Sequence, residues 1–243
     1  MVTLVIPTSC ECENIGRLLG RLAAVRSSLG ERLEVLVVDS GSEDGTVTRA
    51  RDVLSREQLG RVIEQPSGCS LAQAVREGIR QAMGELIGVM DADLSHPPEL
   101  LPALVGVVRS GHEVAIASRY VAGAVALNWP WRRRVLSRLG NLLARPLVPA
   151  ADATSGYFVC QAQLVKSLAL ETQGFKILLE ILVKGCVHHV QELPYTFTDR
   201  VRGSSKLTGR ELWRYLSQLA RLYRFRFAHI NFAARHVSET KFL

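Results

Sequence analysis

Over its first 120 or so residues the chain alternates short apolar runs with stretches of helical spacing, and few architectures accept that order. Leu4 to Pro7 reads as a strand, and Asn14 to about Ser28 repeats Ile15, Leu18, Leu19 and Leu22 on one helix face. Leu33 to Val38 is a second apolar strand, ending at Asp39-Ser40-Gly41-Ser42, with a helix from about Asp44. Val62 to Glu64 is a third, followed by a Pro66-Ser67-Gly68 loop and a helix near Leu71 to Met83. Leu86 to Met90, a helix from Pro98 to Arg109 and a strand from Glu113 to Ala117 complete the series. Such alternation predicts an α/β fold with a doubly wound, mainly parallel sheet. Ligands of these sheets bind outside the carboxyl ends of the strands, where Pro7, Asp39 and Asp91 to Ser95 fall.

The fourth run carries the chemistry. Leu86 to Met90 is bounded by polar residues, the pattern of a strand buried on both faces. It delivers Asp91 and Asp93 off its end, and Pro97-Pro98 opens the next helix, whose first turn tolerates proline. Two carboxylates beside a dry interior are costly unless something pairs with them. A hard divalent cation would do so, taking its remaining ligands from water and substrate phosphate. A bare Asp-x-Asp is more often a solvated turn with both side chains facing water; the buried strand in front and the residues that follow reverse that balance in favour of the cation.

At 47% hydrophobic and 22% charged, 243 residues can bury a full core, as a single α/β domain with an appendage. No run reaches the roughly 18 apolar residues that cross a bilayer, and no basic-then-apolar leader precedes the TLVIP strand. The odd set of cysteines (10, 12, 69, 160, 186) forms no paired framework and implies reduced thiols in a cytosolic compartment. Cys10-Glu11-Cys12 lacks the two-residue spacer of zinc and redox motifs, and His188-His189 adjoin no second ligand pair and read as a strand end.

A net charge of +7 points to an anionic partner. Much of it sits in two amphipathic stretches. Asn128 to Val148 sets Val135, Leu136, Leu139, Leu142 and Leu143 beside Arg132, Arg133, Arg134, Arg138 and Arg145. Gly209 to Phe227 sets Leu212, Trp213, Leu216, Leu219, Ala220 and Tyr223 among Arg210, Arg214, Arg221, Arg224 and Arg226. Basic helices with Trp and Leu can lie in a membrane interface, or pack on a core with a solvated face. Two in one chain favour the interface. Their leucine stripes, without stacking aromatics, argue against nucleic acid. A dinucleotide-dependent dehydrogenase is disfavoured because no Gly-x-Gly-x-x-Gly follows the first strand.

Eight segments then occur in order: VIPTSCECENI, VVDSGSEDGT, VMDADLSHPPE, ASRY, a Trp-Pro-x-x-Arg-x-x-x-Ser run, TSGYFV, GFKILLEILVKG and ELPYTFTDRVRGSSKL. Together, over roughly residues 2 to 215, they resemble the dolichol-phosphate mannosyltransferase branch of the family-2 glycosyltransferases. The resemblance implies a GT-A fold with a catalytic domain over residues 1–206 and an amphipathic C-terminal segment, 207–243, at the membrane interface. It implies an inverting transferase moving a hexose, mannose from GDP-mannose first of all, onto a polyprenyl phosphate at the cytoplasmic membrane face. Carried over residue by residue, Pro7, Ser9, Glu11, Val38, Asp39, Ser40, Asp91, Ala92 and Asp93 line the nucleotide pocket. Asp93 and Ser95, with Asp91 as a further candidate, would hold Mg2+ or Mn2+. Arg119, Arg133 and Ser137 would grip the acceptor phosphate, and Arg200, Arg202 and Lys206 would close over it. The resemblance leaves TSGYFV and GFKILLEILVKG as framework, with Glu180 either structural or reaching toward the acceptor.

Three departures cluster around the nucleotide. Ser9 stands where the family usually has Tyr, Ser40 where it has a second acid, and Cys69-Ser70 where a basic residue and Gly are common. They leave a UDP-sugar donor, UDP-glucose included, as the alternative to GDP-mannose. They also keep alive a catalytically weak nucleotide- or lipid-binding subunit. A sugar hydroxyl as acceptor would need a general base, and no further Asp stands in the expected place. Anchoring would come from the amphipathic segments, a membrane-anchoring partner protein, or residues of a longer parent.

Overall fold

A computed structural model describes residues 1–171, 176–198 and 209–239. Four parallel strands form one half of a seven-stranded sheet: β1 (Val2–Thr8), β2 (Leu33–Asp39), β3 (Gly60–Glu64) and β4 (Leu86–Val89). Helices α1 (Cys12–Val25), α2 (Thr46–Glu57) and α3 (Leu71–Gln81) connect them. α3 begins at a capping box, in which Ser70 and Gln73 satisfy each other's backbone N–H groups. A 3-10 turn at Pro98–Leu100 leads into α4 (Leu101–Arg109) and then β5 (Val114–Ser118).

The remainder of the sheet is less regular than the first half. After β5 come a short β6 (Val125–Leu127) and α5 (Trp131–Ala144). β7 (Phe158–Gln161) then inserts antiparallel between β4 and β5. α6 (Ala162–Lys166) and α7 (Ile177–Lys184) lead to β8 (Val190–Pro194), parallel to β5, and to β9 (Thr196–Thr198), which pairs with β6 outside the main sheet. The sheet order is β3-β2-β1-β4-β7-β5-β8. α8 (Gly209–Glu239) ends the described chain.

Strand side chains alternate between faces, so the sheet carries two cores. Leu4 and Ile6 of β1 meet Ile15, Leu18 and Leu22 of α1 and Leu101 and Leu104 of α4. Val5 of the same strand faces the other way, with Val75 and Ile79 of α3 and, further along, Ile181 and Leu182 of α7. Helices thus cover both faces, the predicted doubly wound α/β arrangement.

α8 docks with Tyr215, Leu219 and Leu222, all buried, while Leu212, Trp213, Leu216 and Phe227 on the adjoining face are exposed. The residues expected to share one stripe therefore divide between core and surface, with Leu219 inside. α5 keeps Trp131, Val135, Leu139, Leu142 and Leu143 exposed. The hydroxyls of Tyr215 and Tyr223 donate to the carbonyls of Gly140 (2.6 Å) and Leu143 (2.8 Å), bringing α8 against α5. Among the described residues no helix is long and apolar enough to cross a membrane.

Candidate active site

Because six of the seven strands run the same way, the ends of β1, β2, β4, β5 and β8 share one edge of the sheet. β7 starts from that edge, with Phe158 opposite both Val89 and Ile116, so Ser155-Gly156-Tyr157 join it. Motifs more than 100 residues apart in sequence are thereby collected.

At the carboxyl ends of β1 and β2, Asp39 organises two loops. Only 1% of it is exposed. Its carboxylate accepts from the Thr8 hydroxyl at 2.8 Å and from the backbone N–H and hydroxyl of Ser42, both at 2.7 Å. The Ser42 hydroxyl in turn accepts from the N–H of Cys10, whose φ of 57° is left-handed. Gly41, at φ 76°, lets this loop close on the one after β3, since a Cβ there would lie 2.5 Å from the Cα of Ser67. Pro7 and Val38 face each other across β1 and β2, both buried, and can offer a ligand only backbone. Ser9 is exposed and Ser40 half-buried beside them. Glu11 accepts from the Asn14 side chain at 2.7 Å, and its own N–H donates to Thr46.

At the tip of β4, Asp91 keeps 31% of its side chain exposed while Ala92 is buried. Asp93 accepts from the N–H (3.1 Å) and hydroxyl (2.6 Å) of Ser95 across Leu94, whose φ is 60°. A left-handed leucine costs about 1–2 kcal/mol, a strain held by that turn. Behind the pair stands His96, with Nε2 3.5 Å from Asp91 Oδ2. The imidazole is buried among the rings of Tyr157, Tyr195 and Phe197, with centroids 5.4 to 6.4 Å away. Burial pushes the phenols of Tyr157 and Tyr195 well above their ordinary pKa, so both stay neutral. Gly156 lies against Asp91, where a Cβ would sit 2.3 Å from Oδ2.

Across Phe197 lies a second cluster, centred on Arg119. Arg119 follows β5 and grips the fully buried Asp152 in a bidentate pair, Nε to Oδ2 at 2.8 Å and Nη2 to Oδ1 at 2.7 Å. Burial alone would raise the Asp152 carboxyl, but the charge and hydrogen bonds of Arg119 outweigh it and hold the pKa below the ordinary range. The guanidinium lies 5.2 Å from the Trp129 ring and 5.6 Å from those of Tyr120 and Phe197. The β6–β9 ribbon sets Trp129 and Phe197 in contact, 5.1 Å between centroids. Tyr120 donates to Ser137 on α5 at 2.7 Å, and half-buried Arg133 lies one turn earlier on that helix. Arg200, Arg202 and Lys206 lie outside the described residues.

Phe197 therefore touches both His96 and Arg119, joining the Asp91 end of the site to the arginine end through one aromatic box. His96, Asp152 and Gly156 were not singled out from sequence as site residues. The available signals were a histidine three residues after Asp93 and an isolated Asp just before TSGYFV.

Asp91, Asp93 and the Ser95 hydroxyl are hard oxygen donors of the kind Mg2+ and Mn2+ take. Among the described residues no three His, Cys, Asp or Glu side chains converge into a closed metal cage. The donor set fits an ion that completes its shell with water and substrate phosphate.

This is the fold and the edge of a GT-A enzyme, and residues 3–169 match Glycosyl transferase family 2, to which the chain belongs. Within the family it aligns with proteins named dolichol-phosphate mannosyltransferase. It is 38% identical to that of Pyrococcus furiosus over 228 residues, 92% of this chain, and spans 64% of that protein's length. To the Saccharomyces cerevisiae protein it is 34% identical over 239 residues, 94% of this chain and 89% of that one. Among solved structures, glucosyl-3-phosphoglycerate synthase from Mycobacterium tuberculosis, in complex with Mn2+ and UDP-glucose, superposes with a TM-score of 0.65. At 19% identity over 93% of this chain and 78% of that one, this is a likeness of fold.

Proposed function

We propose that the protein transfers a hexose, mannose from GDP-mannose, onto a polyprenyl phosphate at the cytoplasmic face of a membrane, with inversion at the anomeric carbon. The observation that carries this reading is the aromatic box in which Phe197 neighbours both Arg119 and His96, the imidazole beside Asp91. The names and identities of the P. furiosus and S. cerevisiae relatives support the substrate classes.

On this reading the loops tied by Asp39 hold the nucleotide, with Pro7 and Val38 offering backbone and Ser9, Glu11 and Ser40 offering side chains. Asp93 and Ser95, with Asp91, would hold Mg2+ or Mn2+, which when bound supplies positive charge to the departing nucleoside diphosphate. A polyprenyl monophosphate has a second pKa near ~6, so at neutral pH it is largely a dianion and needs no general base. One of its oxygens forms the new bond to the anomeric carbon as the bond to the diphosphate breaks, and an α-linked donor gives a β-linked product. Arg133 and Ser137 on α5, with Arg119 steadied by Asp152, position that oxygen and offset repulsion between the two phosphate groups. Arg200, Arg202 and Lys206 would complete the enclosure. The exposed apolar faces of α5 and α8 rest on the bilayer, with a membrane partner protein as an added anchor.

A panel of nucleotide sugars, incubated with a short polyprenyl phosphate and Mg2+ or Mn2+, tests this directly. Mannosyl transfer from GDP-mannose with a β-linked product is the expected result. Transfer only from UDP-glucose would trace to the Ser9 and Ser40 departures and overturn the donor assignment. No transfer from any donor would leave the nucleotide- or lipid-binding subunit.

A further inference from the structure

α5 runs away from the catalytic edge. Its Ser137 is tied to Tyr120 after β5, whereas its far end approaches the opposite edge of the sheet, where His188 and His189 precede β8. Fourteen residues of helix span about 21 Å. At that far end lies a cleft of about 320 Å3 between the end of α5, the end of α7 and α8. Its lining includes Arg145, His188 and Arg226 and, among the described residues, no carboxylate. Glu113, the acid closest in register, is turned toward the backbone, accepting from the N–H groups of His188 and His189 at 2.9 and 2.8 Å. The floor is apolar, with Leu147, Val148, Leu182 and Val187 buried.

The rim of this cleft is the membrane-facing surface proposed above. Leu142 and Leu143 precede Arg145 on α5, and both are exposed. Tyr223, bonded to the Leu143 carbonyl, stacks on exposed Phe227 at 6.4 Å, and Arg226 lies between them in sequence. Two guanidinium groups at the border of an apolar patch match a phosphate at the border of an acyl layer, since the planar fork of Arg holds phosphate oxygens in pairs.

The geometry points to a second phosphate seat, formed by Arg145 and Arg226 with His188, that takes the headgroup of an anionic phospholipid. The seat lies past the C-terminal end of α5, about three turns from Arg133 and about two from Ser137 at mid-helix. Contact at both ends would fix the rotation of α5 on the bilayer and so aim the acceptor site at the lipid phosphate. The inference rests on the membrane-surface reading and adds a defined headgroup contact to it.

The test is co-sedimentation of the full chain with phosphatidylcholine vesicles, with and without phosphatidylglycerol. R145Q/R226Q is compared with R132Q/R134Q, which removes the same charge from the other end of α5. With each basic residue near an anionic surface worth about fivefold in partition, diffuse attraction accounts for a loss of up to roughly 30-fold for either pair, and R145Q/R226Q, which also removes the charged hydrogen bonds of the seat, should lower binding to the anionic vesicles by more than that. R132Q/R134Q should lower it clearly less. R145Q/R226Q should also leave transfer to a short, soluble polyprenyl phosphate unchanged, which shows that it folds. Equal losses for the two double variants mean diffuse attraction and overturn the seat while leaving the membrane reading intact. A wild-type chain that binds neither vesicle overturns both. A free anion in place of a lipid would appear as inorganic phosphate raising the Tm of wild type but not of R145Q/R226Q, with vesicle binding indifferent to the pair; that too overturns the headgroup assignment.

Discussion

The two sides of the site are built by different physics. On the donor side, Asp39 gathers the loops after β1 and β2 with three short hydrogen bonds, and Asp93 closes its own turn with two more through Ser95. On the acceptor side one ion pair, Arg119 with Asp152, is wrapped by Tyr120, Trp129 and Phe197. Short directional bonds fix backbone on the side to which the proposed function assigns the diphosphate and its ion. Tilted rings fix a charge in a low-dielectric box, the side to which the proposed function assigns the lipid phosphate. Loss of one polar atom should therefore act locally on the donor side, whereas on the acceptor side it should undo the whole box.

The sharpest break is Asp93→Ala. It should lower kcat by on the order of 10³-fold or more and abolish metal-dependent nucleotide binding, with the urea midpoint almost unchanged. Activity near wild type would remove Asp93 from the metal site and the donor side from the comparison.

Asp152→Ala should do the reverse. Stranding a buried Arg119 costs about 3–5 kcal/mol, read as a lowered urea midpoint. The same pair sets a pH dependence. Because the folded pKa of Asp152 is depressed, its stabilisation is present in full above the unfolded pKa of about 3.9 and is lost as pH falls through the folded value. The wild type should thus lose more stability on acidification than Asp152→Asn, measured by denaturant melts across that window.

Arg133→Ala should raise KM for the polyprenyl phosphate about 10- to 100-fold, the worth of one charged hydrogen bond, and leave donor binding nearly intact. Gly156→Ala gives the smallest effect of the four. The added methyl meets the Asp91 carboxylate and should weaken nucleotide binding, while overpacking destabilises the fold by about 1–3 kcal/mol. An effect on acceptor KM instead would mean that the two sides are not separable at the β4 tip.

The parallel half of the sheet could be read in advance because each strand is a continuous apolar run and each helix a single stripe. Leu33 to Val38 and Leu71 to Met83 emerge within one or two residues of β2 and α3. β7, β8 and β9 were not legible. Each has only three to five residues, and β7 gains its place from partners on both sides that lie more than 40 residues away in sequence. α8 misled for a different reason, since apolar residues cover two adjoining faces and periodicity cannot choose which one meets the core. The positions of Asp91 and Asp93 followed from the strand that delivers them. The pairing of Arg119 with Asp152 did not, because nothing local distinguishes an arginine aimed at a ligand from one held by a buried acid.

β7 has a consequence for how such a chain can vary. Residues 119–157 leave the sheet after β5 and re-enter it at β7, whose hydrogen bonds to both β4 and β5 weld the return. The α5 residues and Trp129 belong to that excursion, whereas Phe197 reaches the aromatic box from β9 and the loops tied by Asp39 lie wholly before it. Up to Ser155 the excursion is thus a unit that can vary between fixed ends: under the proposed function, changes within it would act on the acceptor, whereas Gly156 and Tyr157, which lie against Asp91 and His96, tie its last residues to the nucleotide end.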